Sequence, residues 1–168
     1  LGSELLVMAG RYASKPEART ALRTARSSGS AAEVFGRMVG AMGGPADLVE
    51  RPGLHLPAAP ITVEVYAERP GIVTGMDVRS LGWAVVSLGG GRTKPGAAID
   101  PAVGLTDLAQ VGAEVGRSAS KTPLAVVHAA DSAAAEAAAS AVRSAYALAE
   151  PGAPNPSATR SLVIESIR

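Results

Sequence analysis

A chain of 168 residues with 47% apolar and 18% charged side chains is long enough for one domain with a real core, or for two small packed units, and belongs among soluble globular proteins. Its net charge of +1, with no block of Lys or Arg, leaves out the electrostatic footprint of a nucleic-acid or acidic-membrane partner. The lack of cysteine removes disulfides, thiolate chemistry and Cys-type zinc sites, and fits a reducing cytoplasm. With aromatics at only 3%, the core must be built from Ala, Val, Leu, Ile and Met, and few surfaces remain for stacking bases. No apolar run approaches the ~20 residues that span a bilayer. The amino terminus, Leu1-Gly2-Ser3-Glu4, is no signal peptide and reads as beginning inside a helix, as a segment cut from a longer protein would.

Three helices are predicted over residues 1–44. In the first, Leu1, Leu5, Ala9 and Tyr12 share a face. The second opens on Ser14-Lys15-Pro16-Glu17, a capping box with Pro in the first turn, and Gly29 ends it. The third repeats the device with Ser30-Ala31-Ala32-Glu33 and stops at Gly43-Gly44-Pro45. Pro45, Pro52, Pro57 and Pro60 then predict an extended connector over 45–60. From Ile61 the period changes to two: Ile61, Val63 and Val65 alternate with Thr62, Glu64 and Tyr66, as in a half-buried strand. A second strand is expected over Ile72 to Val78. A short helix follows on Leu81, Ala84, Val85 and Leu88, ending at Gly89-Gly90-Gly91. Val103–Ala109 and Leu124–Ala129 are further strand candidates. Asp131 or Ser132 caps an Ala-rich helix expected to reach about Ala149, before Pro151. A Pro/Ser/Ala-rich mobile stretch at 150–160 and an edge strand at Ser161–Ile167 complete the reading. Trp83 and Phe35 are assigned to the core. The whole is an α/β (α+β) chain: three amino-terminal helices, a Pro-rich connector, then a compact mixed or antiparallel sheet with flanking helices. The expected divisions are 1–44, 45–60, 61–149 and a tail at 150–168.

Three stretches, in this order and spacing, carry a resemblance. They are Ala32-Glu33-Val34-Phe35-Gly36-Arg37-Met38-Val39 with Gly44-Pro45-Ala46-Asp47, then Gly71-Ile72-Val73-Thr74-Gly75-Met76-Asp77-Val78-Arg79-Ser80-Leu81-Gly82 with Leu88-Gly89-Gly90-Gly91-Arg92, and Ile99-Asp100-Pro101-Ala102-Val103-Gly104-Leu105. Over about residues 1–149 the chain resembles the carboxy-terminal part of the thymidine and pyrimidine-nucleoside phosphorylase family. The resemblance implies a parent pentosyltransferase that cleaves a pyrimidine nucleoside with inorganic phosphate to the free base and a pentose 1-phosphate. It implies a homodimer without organic cofactor or metal, its cleft lying between a helical and an α/β domain. It places residues 1–44 at the end of the central α/β region. The family's phosphate-binding glycine/serine segments, its Lys-His-Ser stretch and its base-binding Arg, Ser and Lys have no counterpart here, and the SGRGL-type signature is absent from the 168 residues. No catalytic residue is therefore assigned, and the chain alone is expected to be inactive. A non-enzymatic scaffold or interaction module with the same terminal fold is the alternative.

The candidate site is a substrate-cleft flap made of Gly89, Gly90, Gly91, Arg92 and Lys94. Successive glycine N–H groups can cradle an anion, and Arg92 and Lys94 add charge. Phosphate-binding glycines ordinarily follow a strand and open a helix, whereas these follow a predicted helix, so a helix stop with a flexible turn is the simpler reading. A flap over Gly89–Pro101 stands between the two, favoured by the resemblance. His128, three residues before Asp131, offers an acid/base pair but has no partner nucleophile; a hydrogen-bonded histidine at a sheet edge explains it more simply. His55 reads as a surface residue. Met76 sits in a stretch like that of biotinyl or lipoyl carrier domains, but Gly75 and Asp77 stand where a carrier needs a lysine.

Overall fold

Capping chemistry sets the first three helices. The structure, a computed structural model, describes residues 1–117 and 122–154. The tail beyond Pro154 and the edge strand expected at 161–167 lie outside the described residues. Helix α1 spans Gly2–Met8, shorter than its apolar spacing suggests, and leaves Tyr12 outside. Helix α2, Lys15–Ser27, opens on Ser14, whose hydroxyl accepts the Glu17 N–H at 3.4 Å, with Pro16 in the first turn. Helix α3, Ser30–Ala41, corrects an expectation. Its cap is Gly29 at φ 84°, with no side-chain bond, and Ser30 is already helical. The Ser30 hydroxyl donates instead to Ala25 O at 3.2 Å. One left-handed glycine thus ends α2 and starts α3, leaving Ser30 no place to cap. At the other end Gly43 (φ 85°) and Gly44 donate their N–H groups to Gly40 O and Val39 O, completing a Schellman stop.

The connector contains one helical turn, α4 (Pro52–His55), where an extended path was expected. His55 Nε2 lies 2.7 Å from Asp47 Oδ1, so a side-chain pair folds this stretch back on itself. The chain divides into two compact units between His55 and Leu56. Within the first, Ala18 and Ser3 are buried where α1 packs on α2, and Lys15 Nζ meets Glu4 Oε2 at 2.8 Å.

Among the described residues the second unit holds six short strands, two α-helices and a π turn. Strand β1 (Ile61–Val65), β2 (Gly71–Met76), β3 (Gly104–Thr106), β4 (Glu114–Val115), β5 (Ala125–Ala129) and β6 (Tyr146–Ala149) form two antiparallel three-stranded sheets, ordered β1-β5-β3 and β4-β2-β6. The α/β class expected from the sequence is the one observed, with its strands shared between two sheets. Helix α5 (Val78–Val85) follows β2 through Asp77, which caps it, so β2 stops at Met76 and does not run to Val78. Helix α6 (Ser132–Ala145) packs between α5 and the first sheet. It buries Ala135, Ala138, Ala139, Val142 and Ala145 at helical spacing. Small side chains on that stripe let α6 lie close to the strands, and Val65, Val73, Val115, Leu124 and Val127 fill the space beneath.

The largest departure from expectation is the end of α6. The helix stops at Ala145, and Tyr146–Ala149 turns extended to pair with β2. Asp77 N–H takes the Ala145 carbonyl at 2.8 Å, and the Tyr146 hydroxyl reaches both Ala109 O (3.2 Å) and Leu124 O (2.9 Å). Tertiary bonds override helix propensity here. The β2–β6 pair is tight: a Cβ at Gly71 would come 2.5 Å from Ala149 O. A bulge between Val73 and Gly75 shifts its register, and the Thr74 hydroxyl there donates to Ala147 O at 3.1 Å. Trp83 and Phe35, expected in the core, are 62% and 48% exposed; aliphatic side chains close the core without them.

Two expectations follow. Leu5 and Met8 on α1 with Leu1 at its cap, and Val34, Phe35 and Met38 on α3 with Met42 at its end, are exposed, an apolar display that monomers seldom carry. The chain is predicted to self-associate through residues 1–44 in sedimentation runs, and a strict monomer at high concentration would contradict this. Tyr146→Phe should cost about 1–2 kcal/mol at neutral pH, because the Ala109 carbonyl loses its buried donor. Burial holds the Tyr146 phenol above the ordinary tyrosine value of about 10. The folded state therefore favours the neutral phenol. That contribution is intact below pH about 10 and declines as pH climbs through the folded value. Urea melts from pH 7 to 11 should show the gap between the two proteins narrowing above pH 10; parallel curves would refute the assignment.

Candidate functional site

The site is built on the end of α5. Asp77 accepts the N–H groups of Arg79 (3.0 Å) and Ser80 (3.2 Å) and the Ser80 hydroxyl (2.6 Å). The Ser80 hydroxyl first, then its N–H, hold the Asp77 carboxyl below the ordinary range. At Val86, beyond the last residue of α5, the helix widens into a π turn over Val86–Gly90, closed by Gly89 at φ 100°. Gly89 thus serves as a left-handed helix stop, and Gly91 leaves in extended conformation.

The five residues of the candidate flap divide into two kinds. Gly89, Gly90 and Gly91 are half-buried. A Cβ on Gly90 would stand 2.9 Å from Val85 Cγ1 and 3.3 Å from Val103 O, and one on Gly91 would stand 2.7 Å from Val86 Cγ2. These glycines are there because the backbone is packed. Arg92 and Lys94 are exposed. Arg92 Nε donates to Ala97 O at 3.2 Å, and Ala97 N–H donates to Lys94 O at 3.2 Å. That leaves the two terminal nitrogens of Arg92 and the Lys94 ammonium without a hydrogen-bond partner among the described residues. The arrangement puts two cations at a loop tip, with no carboxylate or imidazole among residues 92–98.

Beside the same helix a groove of about 460 Å³ runs between α5 and α6, lined by Ser80, Trp83, Ser87 and Leu88 on one side and by alanines and Ser144 on the other. No acid, base or cation lines it, so it supplies shape without chemistry. Sequence reading missed it, because Trp83, the large side chain on its wall, was assigned to the core.

The other sequence candidates are placed elsewhere. His128, on β5, has Nε2 2.9 Å from Thr106 Oγ1 and Nδ1 3.4 Å from Thr62 Oγ1, threonines of the two flanking strands. Asp131 spends Oδ1 on the Ala134 N–H at 2.8 Å, capping α6. The two do not form an acid/base pair among the described residues; His128 is hydrogen-bonded as the simpler reading has it, but on the middle strand of its sheet and not at an edge. Met76 pairs with Tyr146 inside the second sheet, and Gly75-Met76-Asp77 leads from strand to helix, unlike a carrier's hairpin tip. Among the described residues no three His, Cys, Asp or Glu side chains gather to hold a metal ion. Nor is any helix there long and apolar enough to cross a membrane.

Comparison with known proteins agrees with the resemblance read from the motifs. Residues 72–149 match the family model of the pyrimidine nucleoside phosphorylase C-terminal domain. The chain is 47% identical over 152 residues to a thymidine phosphorylase of Burkholderia lata, covering 90% of this chain and 34% of the relative. Thymidine phosphorylases of Burkholderia orbicola (strain MC0-3) and Burkholderia cenocepacia are also 47% identical, over 162 and 157 residues, covering 96% and 94% of this chain and 36% and 35% of the relatives. The chain spans about a third of the length of these curated relatives. With its terminal domain matched and 47% identity over an alignment that covers 96% of it, the chain belongs to the thymidine and pyrimidine-nucleoside phosphorylase family, as a carboxy-terminal part.

Proposed function

We propose that the protein to which this chain contributes cleaves thymidine, or a related pyrimidine nucleoside, with inorganic phosphate. The products are thymine and 2-deoxyribose 1-phosphate. In that reaction the C1′–N1 bond breaks, a phosphate oxygen bonds to C1′, and the base leaves and takes up a proton. The observation that carries the reading is 47% identity to proteins named thymidine phosphorylase, sustained over 96% of this chain in one of them. The reading extends to a homodimer working in the cytoplasm, with phosphate as co-substrate and no organic cofactor.

Within that protein this segment forms a wall of the cleft, and its exposed loop around Arg92 and Lys94 acts as the flap. Charge supports that role. Residues 92–98 carry two cations and no carboxylate, and the Arg92 fork suits phosphate in a bidentate manner. A flap also excludes water, whose attack at C1′ would yield the free sugar.

The 168 residues themselves are assigned no phosphorolysis, since a pentosyl transfer needs phosphate, base and sugar held together. Incubation of the chain with thymidine and phosphate should release no thymine above a blank by chromatography; clear turnover would overturn this assignment. In a phosphorylase carrying this chain as its carboxy-terminal third, Arg92→Ala should reduce kcat/KM by roughly 10-fold or more, with the melting temperature unchanged. Arg92→Lys should recover part of the loss. Equal kinetics for wild type and Arg92→Ala would remove the charge from the mechanism.

A further inference from the structure

The same loop has a second property, which concerns how it is held. Asp100 donates its N–H to Gly89 O at 3.0 Å, so the twelve residues from Gly89 to Asp100 leave and return at one point. Such a closed excursion is an Ω-loop. Each glycine at its root is required for a different reason. Gly89 takes φ 100°, a conformation that L side chains rarely adopt. Gly90 is wedged between both roots of the loop, with Val85 O 3.2 Å from its Cβ position on the outgoing side and Val103 O 3.3 Å on the returning side. Gly91 lies flat on Val86, with the Val86 Cα 3.4 Å from its Cβ position. On the return, Asp100 Oδ1 accepts the Ala102 N–H at 2.9 Å, and Val103 enters the core.

Beyond this neck the bonding changes. Residues 92–96 are exposed, and the hydrogen bonds described there, Arg92 Nε to Ala97 O and Ala97 N–H to Lys94 O, stay within the loop. Gly96 at φ 80° makes the turn at its tip, with open space around it. A triplet of glycines ordinarily marks a hinge, yet here it has the tightest packing in the loop.

We infer that the Gly89–Gly91 and Asp100 neck is a fixed clasp and that residues 92–98 move above it as one lobe. Asp100 is a positioning residue of that clasp. The lobe keeps its shape through the Arg92–Ala97 bond, so it presents the terminal nitrogens of Arg92 at a set distance from the neck. The clasp rests on the geometry of this chain alone; only the anion the lobe meets, a phosphate group, rests on the phosphorylase reading.

Residue-resolved amide exchange by NMR on the 168-residue chain tests the clasp. The Asp100 amide should exchange at least tenfold more slowly than those of Thr93, Lys94 and Gly96. Equal exchange at all four would overturn the proposal, because the neck would then open with the lobe. In Gly90→Ala the Asp100 amide should speed up to the lobe rate while the amides of β5 and α6 keep their protection. Asp100→Ala, which removes only the bracket to Ala102, gives a milder second variant and should raise Asp100 exchange part of the way. Unchanged Asp100 exchange in both variants would also overturn the clasp. A protected Asp100 amide combined with normal kinetics for Arg92→Ala in the longer enzyme would retain the clasp and dismiss the flap, so the two readings fail separately.

Discussion

The hydroxyl of Tyr146 sits between two carbonyls that belong to different turns of the chain, and the second unit is organised around it. Tyr146 begins β6 in the second sheet, while Ala109 and Leu124 lie beyond β3 and just before β5 of the first. Leu124 in turn donates to Val65 O at 2.7 Å, and Ala109 donates to Leu124 O at 2.9 Å, so one phenol closes a chain of bonds reaching β1. A buried hydroxyl left without these acceptors would be costly, and the carbonyls likewise. The bond therefore fixes where α6 must end and which way the chain must turn afterwards. Tyr146 is also the chain's one buried aromatic residue among those described. A core of valines and alanines supplies burial without orientation; the phenol supplies orientation.

From that fixed point the alanine stripe of α6 follows. Ala135, Ala138 and Ala139 have no side-chain entropy to lose and let the helix approach the strands closely. The strands beneath it carry Val65 and Val127, with no exposure at all. On the far side of the first sheet a polar row of Thr62, His128 and Thr106 faces outward, which accounts for a histidine in the middle strand. Alternation along β5 sorts the two faces, as period-two patterning requires, while on β1 only Val65 is buried.

Legibility in the sequence tracks how local each cause is. Ser14 and Asp131 could be read as caps, because a cap acts over three residues. Strands β1 and β5 could be read from their period of two, although only β5 buries a whole face and Val63 of β1 is exposed. Strand β6 could not. Tyr146 and Ala149 continue the helical phase of Ala135, Ala138 and Val142, so pattern alone carries the helix on, and only the distant partners in β2 and at Ala109 stop it. Ser30 misled for a similar reason, since the left-handed Gly29 had taken the cap position. At Gly89–Gly91 the helix stop was legible and Gly89 provides it, whereas the flexible turn read beside it is replaced by close packing at Gly90 and Gly91. A sequence shows that Gly90 lacks a Cβ; it does not show that Val85 and Val103 occupy the space. The α5–α6 groove went unread because most of its lining is alanine and serine, residues without a chemical signature, and its Trp83 was assigned to the core.

The exposed position of Trp83 has a spectroscopic consequence. It is the only tryptophan in the chain, and it stands on the wall of the α5–α6 groove, outside the core. An indole 62% exposed in the folded state has most of its surface in water already, so melting of the valine and alanine interior should change its emission little. The same indole responds directly to anything that seats in the groove and shields it. Emission from this protein thus reports occupancy of one surface, while loss of the fold is better followed in the far ultraviolet, where α6 and the two sheets absorb.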